Sequence, residues 1–176
     1  MNWIDRWKRL KTYIGYRRRG VPQDVMQKAG DNFSCGFGAY FRPGEDISIG
    51  NNVFMGRNAH ISAPCVIKDD VMLASYVALI GGDHEFRVPC VLMNASGREQ
   101  THRIVIEEDV WVGHGAIILT GVTIGRGAII AAGSIVTQNI PPCTVWGGTP
   151  VRFLKDRFVS EEDTKVHLAF LDEKYK

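Results

Sequence analysis

The chain has 176 residues, 45% of them hydrophobic and 23% charged, with a formal net charge of +2. That is the size of one domain with its own core, too apolar for a disordered chain and too evenly charged for a nucleic-acid-binding surface. Its 33 Ile and Val against 8 Leu, together with 19 Gly, exclude a helical bundle and point to strands broken by many turns.

The N-terminal segment, residues 1–32, is basic. Arg6, Lys8, Arg9, Lys11, Arg17, Arg18 and Arg19 face only Asp5 in the first 20 residues. Trp3, Trp7, Leu10 and Ile14 share one helical stripe. The pattern predicts a short amphipathic helix that caps the fold or lies on an anionic membrane surface. No apolar run follows the basic residues, and none is long enough to span a bilayer. The expected setting is the cytoplasm, with peripheral membrane contact through residues 1–20. Cys35, Cys65, Cys90 and Cys143 lack metal-ligand spacing and read as reduced thiols, with Cys35 and Cys65 in the core.

A repeat of six residues occupies the middle of the chain. Its lead column runs Phe37, Pro43, Ile49, Met55, Ile61, Ile67, Leu73, Leu79. A second column, four places later, is Phe41, Ile47, Val53, Ala59, Cys65, Val71, Val77. Gly38, Gly44, Gly50 and Gly56 follow lead positions and are expected to relieve the backbone at turns. The repeat resumes at Ile106 and runs through Val112, Ile118, Ile124, Ile130 and Val136. This period is neither helical nor that of an alternating strand. It predicts an all-β parallel β-helix over residues 33–142, with one hexapeptide per flat face and three faces per coil.

Between Leu79 and Ile106 about 21 residues exceed the one hexad expected. Face counting makes this segment a protruding loop, residues 81–103, that leaves between the second and third faces and can reach a neighbouring subunit. A C-terminal segment, residues 143–176, follows. There Ser160-Glu161-Glu162-Asp163 predicts a helix N-cap with an acidic first turn, and Val166, Phe170 and Leu171 supply an apolar face.

The units Ile49-Gly50-Asn51-Asn52-Val53 and Ile124-Gly125-Arg126-Gly127-Ala128 resemble the hexapeptide-repeat acyltransferases. Residues 33–155 are similar to the maltose, galactoside and capsular-polysaccharide O-acetyltransferase branch. The resemblance rests on His84 near the loop start, on Ile106-Glu107-Glu108-Asp109-Val110-Trp111-Val112-Gly113, and on Gly133–Thr137 followed by Ile140-Pro141-Pro142 and Gly147–Arg152. It implies a left-handed β-helix, here with short N- and C-terminal helices. A homotrimer is expected because one prism offers no deep pocket, which a site with walls from two chains would supply.

The resemblance makes His84 the catalytic base, a role suited to imidazole near neutral pH. Asp83 and Glu85 flank it, and either is placed in sequence to orient the ring. Trp111 is implied to support catalysis and line the donor cleft, with trimer packing as its alternative. Acetyl-CoA is the implied co-substrate, with no metal. Ala132, Gly133 and Thr137 fall along its pantetheine arm. Arg152 and Lys155 suit its phosphates, or are solvated charges. His60, at a repeat corner, His102 and His167 read as surface residues; His114 points outward and is a weaker candidate for the groove.

The expected reaction is direct transfer of acetyl to a sugar hydroxyl of a cell-surface polysaccharide, its precursor or a small saccharide. The same fold also admits an amino-sugar or antibiotic acceptor, or a trimeric glycan-binding scaffold without catalysis. A γ-type carbonic anhydrase requires three converging His, whose spacing His84, His102 and His114 do not show.

Overall fold

The computed structural model describes residues 21–176. The expected amphipathic helix over residues 3–14, and the membrane contact of residues 1–20, lie outside the described residues.

The chain winds as a left-handed parallel β-helix of about 6 turns with three faces. Face 1 stacks β1 (Ser34–Cys35), β4 (Phe54–Met55), β7 (Met72–Leu73), β10 (Trp111–Val112), β13 (Ile129–Ile130) and β15 (Thr144–Gly147). Face 2 stacks β2 (Tyr40–Phe41), β5 (His60–Ile61), β8 (Ala78–Ile80), β11 (Ile117–Leu119) and β14 (Ile135–Val136). Face 3 stacks β3 (Ile47–Ile49), β6 (Cys65–Ile67), β9 (Ile104–Ile106) and β12 (Thr123–Ile124). Short strands suffice because each pairs with the coil below and the coil above, so lateral bonds replace length. β16 (Arg152–Asp156) folds back antiparallel on β15. Among the described residues, two helices flank the solenoid, α1 (Gln23–Lys28) and α2 (Glu161–Lys174).

Both columns of the repeat point inward. Met55, Ile61, Leu73, Leu79, Ile106, Ile118 and Ile124 are completely buried, as are the smaller Val53, Val71, Val77, Ala116 and Ala128. Large and small side chains therefore alternate around each coil and fill a narrow prism. Ser134 is the polar member; its hydroxyl donates to the Ala131 carbonyl and accepts from Gly148 N–H.

The first coil corrects the expected register. Phe37 is 65% exposed and Pro43 also faces solvent, so neither is a lead residue. Cys35 and Phe41 take those places, in register with Met55 and Ile61. The cause is a two-residue insertion in the turn Arg42–Asp46, which makes the first coil longer than the others. At the far end the coil is two residues short: Ile130 pairs with Trp146 and Ile124 bridges to Ile140. The hexad period is lost there although the parallel ladder continues through β15, beyond the expected limit at residue 142.

Gly38 and Gly44 adopt positive φ at turns, as expected, but the glycines that follow the true lead residues have a different reason. Gly50, Gly56, Gly113 and Gly125 lie where a Cβ would sit 2.2–2.7 Å from the adjacent coil. They permit close stacking. The turns are made two places further on, by left-handed residues that line up in columns. Between faces 3 and 1 these are Asn32, Asn52, Asp70, Asp109, Gly127 and Cys143.

α2 begins as expected, with the Ser160 hydroxyl accepting from Asp163 N–H. Its docking differs from expectation. It buries Leu171, while Val166 and Phe170 remain more than half exposed. It runs back along the column of corners between faces 3 and 1. Lys174 Nζ and the Tyr175 hydroxyl donate to Asp70 at 2.6 and 2.5 Å, His167 Nε2 lies 2.9 Å from Asp109, and Arg126 pairs with Asp172. Arg157, just before the helix, donates to the same Asp109 carboxylate at 2.6 Å.

Candidate active site

The protruding loop leaves the prism after β8, between faces 2 and 3, as face counting predicts. Two glycines make the exit. A Cβ on Gly81 would lie 2.8 Å from Thr101 Cγ2 and 3.0 Å from Thr120 Cβ, and Gly82 adopts φ +84°. The chain then forms a short antiparallel ladder at the base of the loop. His84 is bridged to Arg98, Glu99 N–H donates to the Asp83 carbonyl at 2.9 Å, and Glu85 N–H donates to the Gly97 carbonyl at 3.3 Å. Arg98 Nη1 donates to the Gly82 carbonyl at 2.6 Å. On its return the loop is tied to the next coil by His102 N–H donating to Thr120 Oγ1 and Thr120 Oγ1 donating to the His102 carbonyl.

His84 is thus held on a hydrogen-bonded base rather than on a free loop tip. Its ring is half-buried, and Nδ1 is fully buried with no hydrogen-bond partner among the described residues. Neither flanking acid reaches it. Asp83 is exposed. Glu85 accepts from Arg87 N–H at 2.8 Å, Nε at 3.0 Å and Nη2 at 3.1 Å, and the same guanidinium bonds Glu99. The Arg87 side chain, then its backbone N–H, holds the Glu85 carboxyl down to about 2. Within the chain Glu85 therefore fastens the loop instead of orienting the imidazole. This Glu85–Arg87–Glu99 clamp escapes sequence reasoning, which finds Glu85 and Arg87 two places apart but not Glu99 across the ladder.

The other expected site residues lie elsewhere on the prism. Trp111 points outward on face 1, 48% exposed, between Met72 and Ile129. With Phe54 and Met72 it forms an exposed apolar strip over three coils. Ala132 and Gly133 occupy the corner between faces 1 and 2, where Gly133 N–H donates to the His114 carbonyl and a Cβ on Gly133 would meet nothing within 4 Å. Thr137 is exposed at the far end of face 2, and Arg152 and Lys155 are exposed on β16. His84 thus follows the corner between faces 2 and 3, with Thr137 at that same end of face 2, whereas Trp111, Ala132 and Gly133 lie on face 1 and at the corner between faces 1 and 2.

Of the remaining histidines, His60 is on a strand of face 2, not at a corner, and stacks on Tyr40 at 4.8 Å. His102 and His114 are exposed, and His167 is engaged by Asp109. Among the described residues no three His, Cys, Asp or Glu side chains converge as a metal site. Burial pushes the Cys35 and Cys65 thiols up to about 12, which leaves them inert.

The three-faced prism with one protruding loop at a corner defines a β-solenoid of the hexapeptide-repeat class. Residues 103–138 match the family model described as bacterial transferase hexapeptide (six repeats). The chain is 31% identical over 169 residues to the galactoside O-acetyltransferase of Escherichia coli (strain K12), covering 90% of this chain and 75% of that protein. A solved maltose O-acetyltransferase from Clostridium difficile 630 superposes with a TM-score of 0.65 at 29% identity, covering 84% of this chain and 87% of that one. The hexapeptide-repeat acetyltransferase of Vibrio cholerae, solved in complex with acetyl coenzyme A, gives a TM-score of 0.65 at 25% identity over 87% of each chain. The chain belongs to the hexapeptide-repeat acetyltransferase family.

Proposed function

We propose that the protein transfers the acetyl group of acetyl-CoA to a sugar hydroxyl, with His84 as general base. The observation that carries this reading is the built base beneath His84, in a chain related to galactoside and maltose O-acetyltransferases and similar in fold to an acetyltransferase solved with acetyl-CoA.

In this reading the acceptor hydroxyl gives its proton to Nε2 of neutral His84. The acceptor oxygen attacks the acetyl carbonyl. The tetrahedral intermediate collapses, the C–S bond breaks, and CoA leaves as thiolate that takes the proton back from the imidazolium. No acyl-enzyme forms. The buried Nδ1 of His84 calls for an acceptor from outside the described residues, because an imidazolium needs both N–H groups solvated or bonded.

The donor lies along Trp111, Ala132, Gly133 and Thr137, with Arg152 and Lys155 at its phosphates. The open backbone at Gly133 and the exposed strip at Trp111 support this track. The position of Trp111, Ala132 and Gly133 across face 2 from the His84 corner supports a homotrimer, in which the base of one subunit faces the donor track of the next.

The test is CoA release from acetyl-CoA with a panel of saccharides, amino sugars included. His84→Ala is expected to lower kcat by about 100- to 10,000-fold, the range for a lost general base, with acetyl-CoA binding retained. Full activity of that variant defeats the assignment. Sedimentation as an active monomer defeats the shared site.

A further inference from the structure

The corner between faces 1 and 2 breaks its own rule once. Its left-handed positions are Gly38, Asn58, Tyr76, Gly115 and Gly133, with φ of +78, +52, +63, +66 and +69°. Gly enters this region freely and Asn tolerates it, whereas for a bulky aromatic it is uncommon and strained. Nothing in the core requires Tyr76. Its side chain points out of the prism, 54% exposed. Strain held at a surface side chain that packs no core is a signature of binding function.

The surroundings set the ring beside the donor track proposed above. The Tyr76 ring lies against His114 on the next coil, centroids 5.2 Å apart and tilted by 56°. Met72 and Trp111, paired across face 1, present exposed apolar surface on the same two coils. Ala132 and Gly133 follow one coil further along the corner. Each of two successive coils therefore offers one apolar side chain on the face and one ring at the corner.

We infer that Tyr76 is a specificity-determining residue, a platform that with His114 takes the C–H-bearing face of the acceptor's sugar ring. An aromatic face is electron-rich and receives polarised C–H groups, and a pyranose presents several on one side. The inference rests on the saccharide reading above. Since Tyr76 and His84 stand at opposite ends of face 2, platform and base of one site come from two copies of the chain.

The test compares wild type, Tyr76→Asn and Tyr76→Phe in steady state with methyl galactoside, maltose and free monosaccharides. Asn suits the corner, as Asn58 shows, so Tyr76→Asn is expected to unfold at the same or a higher temperature. Its KM for the saccharide is expected to rise roughly tenfold, which corresponds to about 1.4 kcal/mol, with KM for acetyl-CoA unchanged. Tyr76→Phe keeps the ring and is expected to stay within about twofold of wild type. A saccharide KM unchanged in Tyr76→Asn overturns the inference alone. So does an equal loss in Tyr76→Phe, or a lower unfolding temperature or altered sedimentation in Tyr76→Asn, which would make the ring structural. A wild type that acetylates no saccharide overturns the functional reading and the inference with it.

Discussion

Replacing Gly56 by Ala tests the account of coil stacking. Gly56 does not have a positive φ, so by backbone entropy alone the change stabilises by about 0.4–1 kcal/mol. The packing predicts the opposite. The added Cβ would lie 2.3 Å from Ser75 N, 2.6 Å from Ala74 C and 2.7 Å from Ser75 Cα, all backbone atoms of the next coil. Bringing the nearest contact to 3.0 Å moves the two coils apart by at least about 0.7 Å. That stretches the bond from Gly56 N–H to the Leu73 carbonyl from 2.8 Å to the edge of hydrogen bonding, and strains the adjacent Arg57 N–H bond to Ser75 Oγ. Two weakened bonds in a tightly stacked ladder cost about 2–4 kcal/mol. For a chain of this size that is a fall in Tm of roughly 5–15 °C. Gly44→Ala is the control: φ is +82° and a Cβ there meets nothing within 4 Å, so only the left-handed conformation costs, about 1–2 kcal/mol. The assay is urea unfolding of both variants at one protein concentration, since association shifts apparent stability. If Gly56→Ala is no less stable than Gly44→Ala, close approach between coils is not what these glycines provide.

Further outcomes follow from the charged and thiol groups. Because Arg87 holds the folded Glu85 carboxyl near 2, below its unfolded value of about 4.3, the clamp contributes fully above pH 5; protection of the Glu85 and Glu99 N–H groups, measured against their intrinsic exchange rates, should hold down to that pH and fall as pH drops toward 2. Arg87→Met should accelerate exchange at those two amides at neutral pH and lower kcat, while the midpoint of global unfolding moves little; unchanged exchange would show that the clamp does not order the loop. Asp109→Asn keeps a residue suited to the left-handed corner but removes the charge shared by Arg157 and His167, and should lower stability by about 1–3 kcal/mol in chemical unfolding at neutral pH. Alkylation of native protein at pH 8 should label Cys90 quickly and spare Cys35, Cys65 and Cys143, which are buried; mass spectrometry showing a second rapid label would contradict the packing.

Much of the solenoid is legible in the sequence because its two interior columns must repeat wherever coils stack in register. Met55, Ile61, Ile67, Leu73 and Leu79 reveal the prism directly. The pattern misleads only where the coil changes length: an insertion at Arg42–Asp46 hides the roles of Cys35 and Phe41, and the shortened last coil hides the strand at Thr144–Gly147. The glycine column is visible but ambiguous, since a close approach and a positive φ select the same residue. At the site, His84 is marked by the lapse in the repeat. What fixes it is not, because the partners Glu99 and Arg98 are brought to Asp83, Glu85 and Gly82 by loop closure, which no short-range spacing records. The docking of α2 is likewise hidden: it depends on Asp70 and Asp109, acids that in sequence are ordinary turn residues.

The protruding loop is spliced into a coil that is otherwise uninterrupted. Cys65 pairs with Ile104 and Leu79 with Ile118, so the strands on either side of the excursion stack as though it were absent. Scaffold and loop are therefore separable along this chain. The segment from Gly81 to Arg103 can be shortened, lengthened or exchanged with that of a relative while the prism keeps its register, so the length of the loop is decoupled from the stacking of the coils.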